Sequence, residues 1–305
     1  MREIDHRYRP LQPGTQIAST LHFRRIFDAL FSAVEPKTIC EIGLEGGRTT
    51  RHLVELAARS GGRYIGIDPA LSPTLRTALS DTPHVTLHAS SSLDVLEHIA
   101  APGLTIIDGD HNYHTVSREL ELLAAAANHA EHASWAIALH DTSWPCSRRD
   151  TYYSPQRVPA SMRHESSTRH GFSILDEALT KDGYGANQGL AIATRWGGEH
   201  NGVLTALEDF LQTRNNLQVL HIQALHGLSI VAPATPSTAL AEVLGEIRVG
   251  LQVFGELLAE MEFNRLRLIN DVRHSWQRRL AASLRSQLRG LLSLRGRASP
   301  RTTAR

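Results

Sequence analysis

From residue 20 to about 140, short apolar runs alternate with segments of helical periodicity, and this alternation leaves few architectures open. "TLHFRRIFDALFSAV" (20–34) is apolar at helical spacing and is stopped by Pro36. "KTICEIG" reads as a buried strand, and "TTRHLVELAARS" as a helix closed by Gly61 and Gly62. "RYIGID" and "HVTLHA" are two more strands, followed by the helix "SLDVLEHIA" and a fourth strand, "GLTIIDG". The helix "VSRELELLAAAANHA" and the strand "SWAIALHD" complete the series. Strands apolar throughout are buried on both faces, so helices must cover both sides of a parallel sheet. Further on, "LQVLHIQAL" and "GLSIVAP" flank His226 and Gly227 as an antiparallel closing pair, preceded by the helix "NGVLTALEDFLQTR". The expected fold is α/β and Rossmann-like: seven strands, mostly parallel, helices on both faces and an antiparallel strand at one edge.

Residues 142–200 interrupt the series with Pro, Arg, Ser, Tyr and Gly. An irregular insertion of that length is usually functional, and this one starts where the fifth strand ends. From Leu240 the apolar residues follow a heptad through Leu244, Ile247, Leu251, Phe254, Leu258 and Met261. Such a repeat suits a helix packed on the domain as well as a seam joining two copies of the chain. The expected organisation is a helical segment over 1–35, a central domain over 36–235 and a C-terminal helical extension over 239–294, then a basic tail over 295–305. Nine arginines and no acidic residue lie between Arg273 and Arg305, whereas the formal net charge of the whole chain is +1. The body is therefore mildly acidic. The tail lacks aromatics beyond Trp276, and no nucleic-acid module accompanies it, so nucleic acid is not an expected partner. No run approaches the ~18 apolar residues of a membrane span. "MREIDHRYRPLQPG" is too charged for a secretory signal, and the two cysteines, Cys40 and Cys146, form no disulfide framework. Together these point to a cytoplasmic location.

"CEIGLEGGRTT" (40–50) joins the first strand to the next helix. Glycines at such a turn let the backbone approach a ligand, and the helix start offers unpaired N–H groups. A dinucleotide fingerprint would need glycine where Glu45 and Arg48 stand. The spacing of Glu41, Gly43 and Gly47 is instead similar to motif I of the class I S-adenosylmethionine (SAM) methyltransferases, E-x-G-x-x-x-G. That resemblance implies SAM as cofactor, bound around Glu41, Gly43, Gly46, Gly47 and Thr49. It further implies a carboxylate for the ribose at Asp68, 25 residues after Gly43, and cofactor contacts at Ser90 and Asp108.

"IIDGDHNYHTV" (106–116) crowds Asp108, Asp110, His111 and His114 after the fourth strand, and His140 and Asp141 follow the fifth. Adjacent parallel strands end on one rim, the side where ligands bind in open α/β sheets. A neutral hydroxyl is a poor nucleophile toward a methyl sulfonium unless a base or a cation helps it. "DGDHNY" followed by a strand ending in "HD" resembles the methyltransferase group that includes macrolide-sugar O-methyltransferases and cephalosporin-hydroxylase-like proteins. Over roughly residues 12–145 the resemblance implies His111 as general base, with Asp108 and Asp141 as its acidic partners. A Mg²⁺ held by Asp108, His140 and Asp141 is one reading, although His140 stands where metal-binding members carry Glu. A metal-free acid–base site is the other. Asp110 and His114 are equally suited to capping the helix that follows.

In the insertion, Trp144, Tyr152 and Tyr153 are flat surfaces for stacking on a sugar or an aromatic ring, and Arg148 and Arg149 suit a carboxylate or phosphate. The same residues would serve equally to pin the loop to its own domain. "GGEHNGVLTALEDF" resembles a segment of the same methyltransferases, and that resemblance implies that Gly197, Gly198 and Asn201 shape a substrate pocket. The expected activity is SAM-dependent O-methylation of a hydroxyl on a sugar or other small natural product. A metal-dependent hydrolase is an alternative reading, as is a non-catalytic scaffold recruiting a partner, or a second copy, through the C-terminal helix.

Overall fold

The computed structural model describes residues 19–128 and 134–295, with side chains as far as Val272. The first 18 residues of the expected N-terminal segment, and the basic tail beyond Arg295, lie outside the described residues.

A single turn of 3₁₀ helix, Thr20–Phe23, leads into α1 (Arg24–Val34). The series then runs β1 (Thr38–Ile42), α2 (Arg48–Arg59), β2 (Arg63–Ile67), α3 (Pro73–Leu79) and β3 (Val85–His88). It continues with α4 (Ser92–Leu96), β4 (Leu104–Ile107), α5 (Tyr113–Asn128) and β5 (Ala136–His140). After the insertion come α6 (Val203–Gln212), β6 (Leu217–Ile222), β7 (Leu228–Pro233) and α7 (Thr238–Arg295).

One seven-stranded sheet has the order β6-β7-β5-β4-β1-β2-β3. β1 to β5 pair in parallel, and β7 pairs antiparallel with both β5 and β6. The antiparallel strand was expected at the edge; it lies one place in, because the β6–β7 hairpin enters the sheet with its second strand against β5. α3 also departs from the expectation, which had no helix between β2 and β3: its seven residues are too few to show a helical period.

The central strands β4 and β5 are buried at every position, as their continuous apolar sequences require. Successive side chains alternate faces. Ile107, Ile137 and Leu139 pack with α5 and α6, whereas Ile106 and Ala138 pack with α1, α2 and the start of α7. Helices therefore cover both faces.

The insertion contains more order than its composition suggests. Thr151–Tyr152 pairs with Ala191–Ala193, which pairs with Ser166–Ser167. Asp150 fixes this ribbon to the domain. Fully buried, it accepts bonds at Oδ1 from the backbone N–H groups of Tyr113 and Gly202, each at 2.7 Å, and at Oδ2 from the Tyr152 hydroxyl at 2.8 Å. One carboxylate thus serves the first turn of α5, the start of α6 and the insertion. Gly202 has to be glycine: its φ is +95°, and a Cβ there would lie 2.4 Å from the Ser147 carbonyl oxygen. Asp150→Ala leaves the buried N–H groups of Tyr113 and Gly202 unpaired, so it should cost about 3 kcal/mol or more of folding stability. Urea denaturation of the variant measures this, and an unchanged midpoint would refute the anchoring role.

Candidate active site at the rim of the sheet

The C-terminal ends of β1, β4 and β5 meet where the sequence crowds its acids and histidines. Gly43, at φ +85°, closes β1 against the end of β4; a Cβ on it would sit 2.1 Å from the Asp108 carbonyl oxygen. No side chain is tolerated there, which is the physical reason for that glycine. Gly47 caps α2 at φ +70°, with Leu75 of α3 packed against it. Gly46, by contrast, is exposed, and a Cβ would meet nothing within 4 Å, so the outer side of the turn is open.

Asp68, at the end of β2, turns its carboxylate into this loop. Oδ2 accepts from Leu44 N at 2.9 Å and Glu45 N at 3.2 Å, and Oδ1 accepts from Ala70 N at 2.7 Å. A carboxylate offers about four acceptor directions. It is thus held in orientation by the turn with one direction left for a ligand hydroxyl. Glu41 is buried and takes a short hydrogen bond from the Tyr64 hydroxyl. Burial pushes its carboxyl up to about 8, so it is protonated at neutral pH. Thr49 is buried too, bonded at 2.8 Å to Thr20 of the N-terminal turn. Both brace the loop from beneath. Ser90 is exposed at the end of β3.

On the other side of Gly43, four side chains interlock. His140 is buried, with Nδ1 at 2.8 Å from Asp108 Oδ1 and 3.2 Å from Asp141 Oδ2, and Nε2 at 2.8 Å from the Leu225 carbonyl oxygen. A carbonyl only accepts, so Nε2 carries a proton; Nδ1, facing two carboxylates, carries the other. Burial opposes this charge, but Asp108 and Asp141 outweigh it and raise the imidazole well above its ordinary range. Asp141 has a left-handed backbone, φ +58°. Its burial favours the neutral acid, yet His111 and His140 hold the carboxyl well below the usual carboxylate range. His111 Nδ1 lies 3.1 Å from Asp141 Oδ2. Its Nε2 has no hydrogen-bond partner among the described residues.

Asp108, His111 and Asp141 each offer one ligand atom, all within 4.8 Å of one another. Two carboxylate oxygens and an imidazole nitrogen suit a divalent cation. His140, expected as a third ligand, is spent otherwise: both of its nitrogens carry protons in this arrangement.

The expected substrate residues separate in the same way. Arg148 forms a two-pronged pair with Glu208 of α6, at 2.5 and 2.6 Å. Arg149 is buried, bonded to the Glu177 carbonyl and stacked over Trp196 at 5.5 Å. Tyr152 is buried against Asp150. Trp144 packs on Phe172, Tyr184 and His226. Asn201 binds the carbonyls of Arg195 and Gly197 rather than facing a pocket. Tyr153 is the exception: 58% exposed, its ring centroid is 5.8 Å from that of His111. Nothing in the sequence marks Phe23, whose ring meets His140 edge-on at 6.0 Å, or Tyr64 beneath Glu41. Both come from distant segments and carry no local motif. Among the described residues, the side-chain atoms Asp110 Oδ1, Asn112 Nδ2 and Glu119 Oε2 are buried without partners. Asp110 and Asn112 follow β4 directly. Such atoms cost about 1–3 kcal/mol each when unpaired.

Residues 40–142 match the Methyltransf_24 family model, described as a methyltransferase domain. The match runs from β1 to just past the end of β5 and covers about a third of the chain, including the glycine turn and the strand ends described above. Among solved structures, the chain is similar to the SAH-bound methyltransferase PaMTH1 of Podospora anserina, at 14% identity and TM-score 0.40, covering 69% of this chain and 78% of that one. It is similar to the riboflavin-derivative dimethyltransferase RosA of Streptomyces davawensis, at 15% identity and TM-score 0.38, covering 71% and 55%. Human N-acetylserotonin methyltransferase in complex with SAM matches at 14% identity and TM-score 0.39, covering 69% and 51%. Likeness at that level says nothing about substrate. No curated protein sequence matches the chain. No helix among the described residues is long and apolar enough to cross a membrane.

Glu41 provides a test of the loop's foundation. Its folded-state value of about 8 lies above the ordinary 4.5, so the stability it lends is present at low pH and is lost as pH rises from about 4.5 through 8. Glu41→Gln has no proton to lose. Urea midpoints at pH 5 and pH 9 should therefore fall further for the wild type than for the variant, and equal falls would contradict a buried protonated acid.

Proposed function

We propose that the protein methylates a hydroxyl on a sugar or another small polyhydroxylated compound, with His111 as general base. The observation that supports this most directly is the His111–Asp141 pair at the rim beside the glycine turn. Asp141 faces Nδ1, which leaves Nε2 to take a proton from an acceptor hydroxyl. The same two-part arrangement, a carboxylate orienting an imidazole, serves nucleophile activation in unrelated hydrolases. SAM, when bound, supplies an electrophilic methyl group. Around it the chain would provide the open face of Gly46, the pre-oriented Asp68 carboxylate, and Asp108 next to Gly43. Tyr153 offers the acceptor a flat surface beside the base.

The clustered ligand atoms of Asp108, His111 and Asp141 also support a Mg²⁺-assisted version, in which a bound cation would lower the pKa of the acceptor hydroxyl. The positive charge on His140 already offsets one of the two carboxylates, so the site is electrostatically reasonable without a metal.

His111→Ala should reduce turnover by about 10²–10⁴ while SAM affinity, measured by calorimetry, stays nearly constant. Undiminished turnover would remove His111 from the chemistry. EDTA separates the two versions: inhibition reversed by Mg²⁺ supports the cation, and indifference supports the metal-free base.

Asp68→Ala should weaken SAM binding by about 2 kcal/mol, because a ligand hydroxyl loses its acceptor and the turn its brace. Failure of the wild type to bind SAM at all would end the reading.

A further inference from the structure

The long helix α7 has two apolar faces, and the domain uses one. Leu240, Leu244, Ile247, Leu251 and Leu258 pack into the core. Val253, Phe254, Leu257, Met261 and Leu268 lie in solvent, each more than half exposed. The single heptad expected from the sequence is therefore split: Phe254 and Met261 leave the line that the other five positions follow.

Isolated exposed leucines need no explanation, but a stripe does. Phe254, Leu257, Met261, Asn264 and Leu268 alternate spacings of three and four, the pattern of a coiled-coil seam. α7 has 58 residues, a length of about 87 Å at 1.5 Å per residue, far beyond the ~20 Å of the strands beneath it. Its charge is segregated. From Glu242 to Glu262 there are five glutamates and one arginine; from Arg265 to Arg295 there are eight arginines and one aspartate.

We propose that a second copy of this chain covers the exposed face, joined through an antiparallel pair of α7 helices. The charge pattern selects both partner and direction. Antiparallel pairing lays the acidic half of each helix along the basic half of the other, whereas parallel pairing would set arginine against arginine. The seam spacing fixes the register: Leu257 meets Leu268 of the partner subunit, and Met261 meets Asn264 of the partner subunit. Glu260 then faces Arg267 of the partner subunit, and the two-fold axis repeats the contact. Asn264, a polar residue at a seam position, holds that register. The contact is built without the rim residues, so it stands apart from the proposed reaction.

Sedimentation velocity on the full chain should give twice the chain mass at micromolar concentration. Leu257 is on the surface of the subunit, so Leu257→Asp should keep the helical circular dichroism yet weaken association by about 30-fold or more. Glu260→Arg and Arg267→Glu should each weaken it, and the double variant should recover it. For direction, a short bis-maleimide should join Leu257→Cys to Leu268→Cys in a mixture, but should not join Leu257→Cys to itself; Cys40 and Cys146 are buried. A wild type that stays monomeric, a Leu257→Asp variant that associates unchanged, or self-joining of Leu257→Cys would each overturn the proposal. A monomer that instead sediments with anionic vesicles would make this face a membrane-surface helix.

Discussion

The rim depends on one buried imidazolium. His140 joins the end of β5 to the end of β4 through Asp108, and to the β6–β7 turn through the Leu225 carbonyl. It also lies against Asp141, which in turn faces His111. Remove that charge, and two carboxylates a few ångströms apart would repel each other in a site with little water. The hydrogen bonds at both nitrogens fix the ring, the ring fixes the carboxylates, and Asp141 then presents a defined acceptor to His111. The left-handed backbone of Asp141 follows from the same demand: the chain must turn sharply after β5 to place its carboxylate between two imidazoles.

The glycine-turn side is organised by an opposite principle. There the side chains hold the backbone in place. Asp68 grips the N–H groups of the turn, Glu41 and Tyr64 support it from below, and Thr49 ties α2 to the N-terminal turn. Gly43 is where the two halves touch, since its missing side chain allows β1 and β4 to close against each other.

Much of this was legible in the sequence because a parallel sheet makes the position of residues predictable. Once β4 and β5 were read as neighbours, Asp108, His111 and Asp141 had to share a rim, although 33 residues separate Asp108 from Asp141. Pairing partners were less legible. His140 looked like a metal ligand because nothing in its own strand reveals the Leu225 carbonyl, 85 residues away. Arg148, Arg149 and Tyr152 have the chemistry of a binding loop, but Glu208, the Glu177 carbonyl and Asp150 claim them. Those partners come from α6 and from the insertion's own folding, which carries no periodic signal. β7 shows the same limit: the hairpin was readable, and its place within the sheet was not.

The way the insertion is fastened has a consequence for how such a protein diversifies. Its hydrogen-bonded supports are concentrated at its two ends, at Ser147 to Asp150 on one side and Asn201 to Gly202 on the other, while Phe172 and Ile192 from its middle join the core beside α5 and α6. Tyr153 and the Thr151 N–H, which bonds the His111 carbonyl at 2.9 Å, tie the stretch to the imidazole underneath. Its exposed turns, such as 187–189, are where length and lettering can change without disturbing the rim. On this arrangement, changes confined to those turns would leave the interlocked carboxylates and imidazoles of the rim in place.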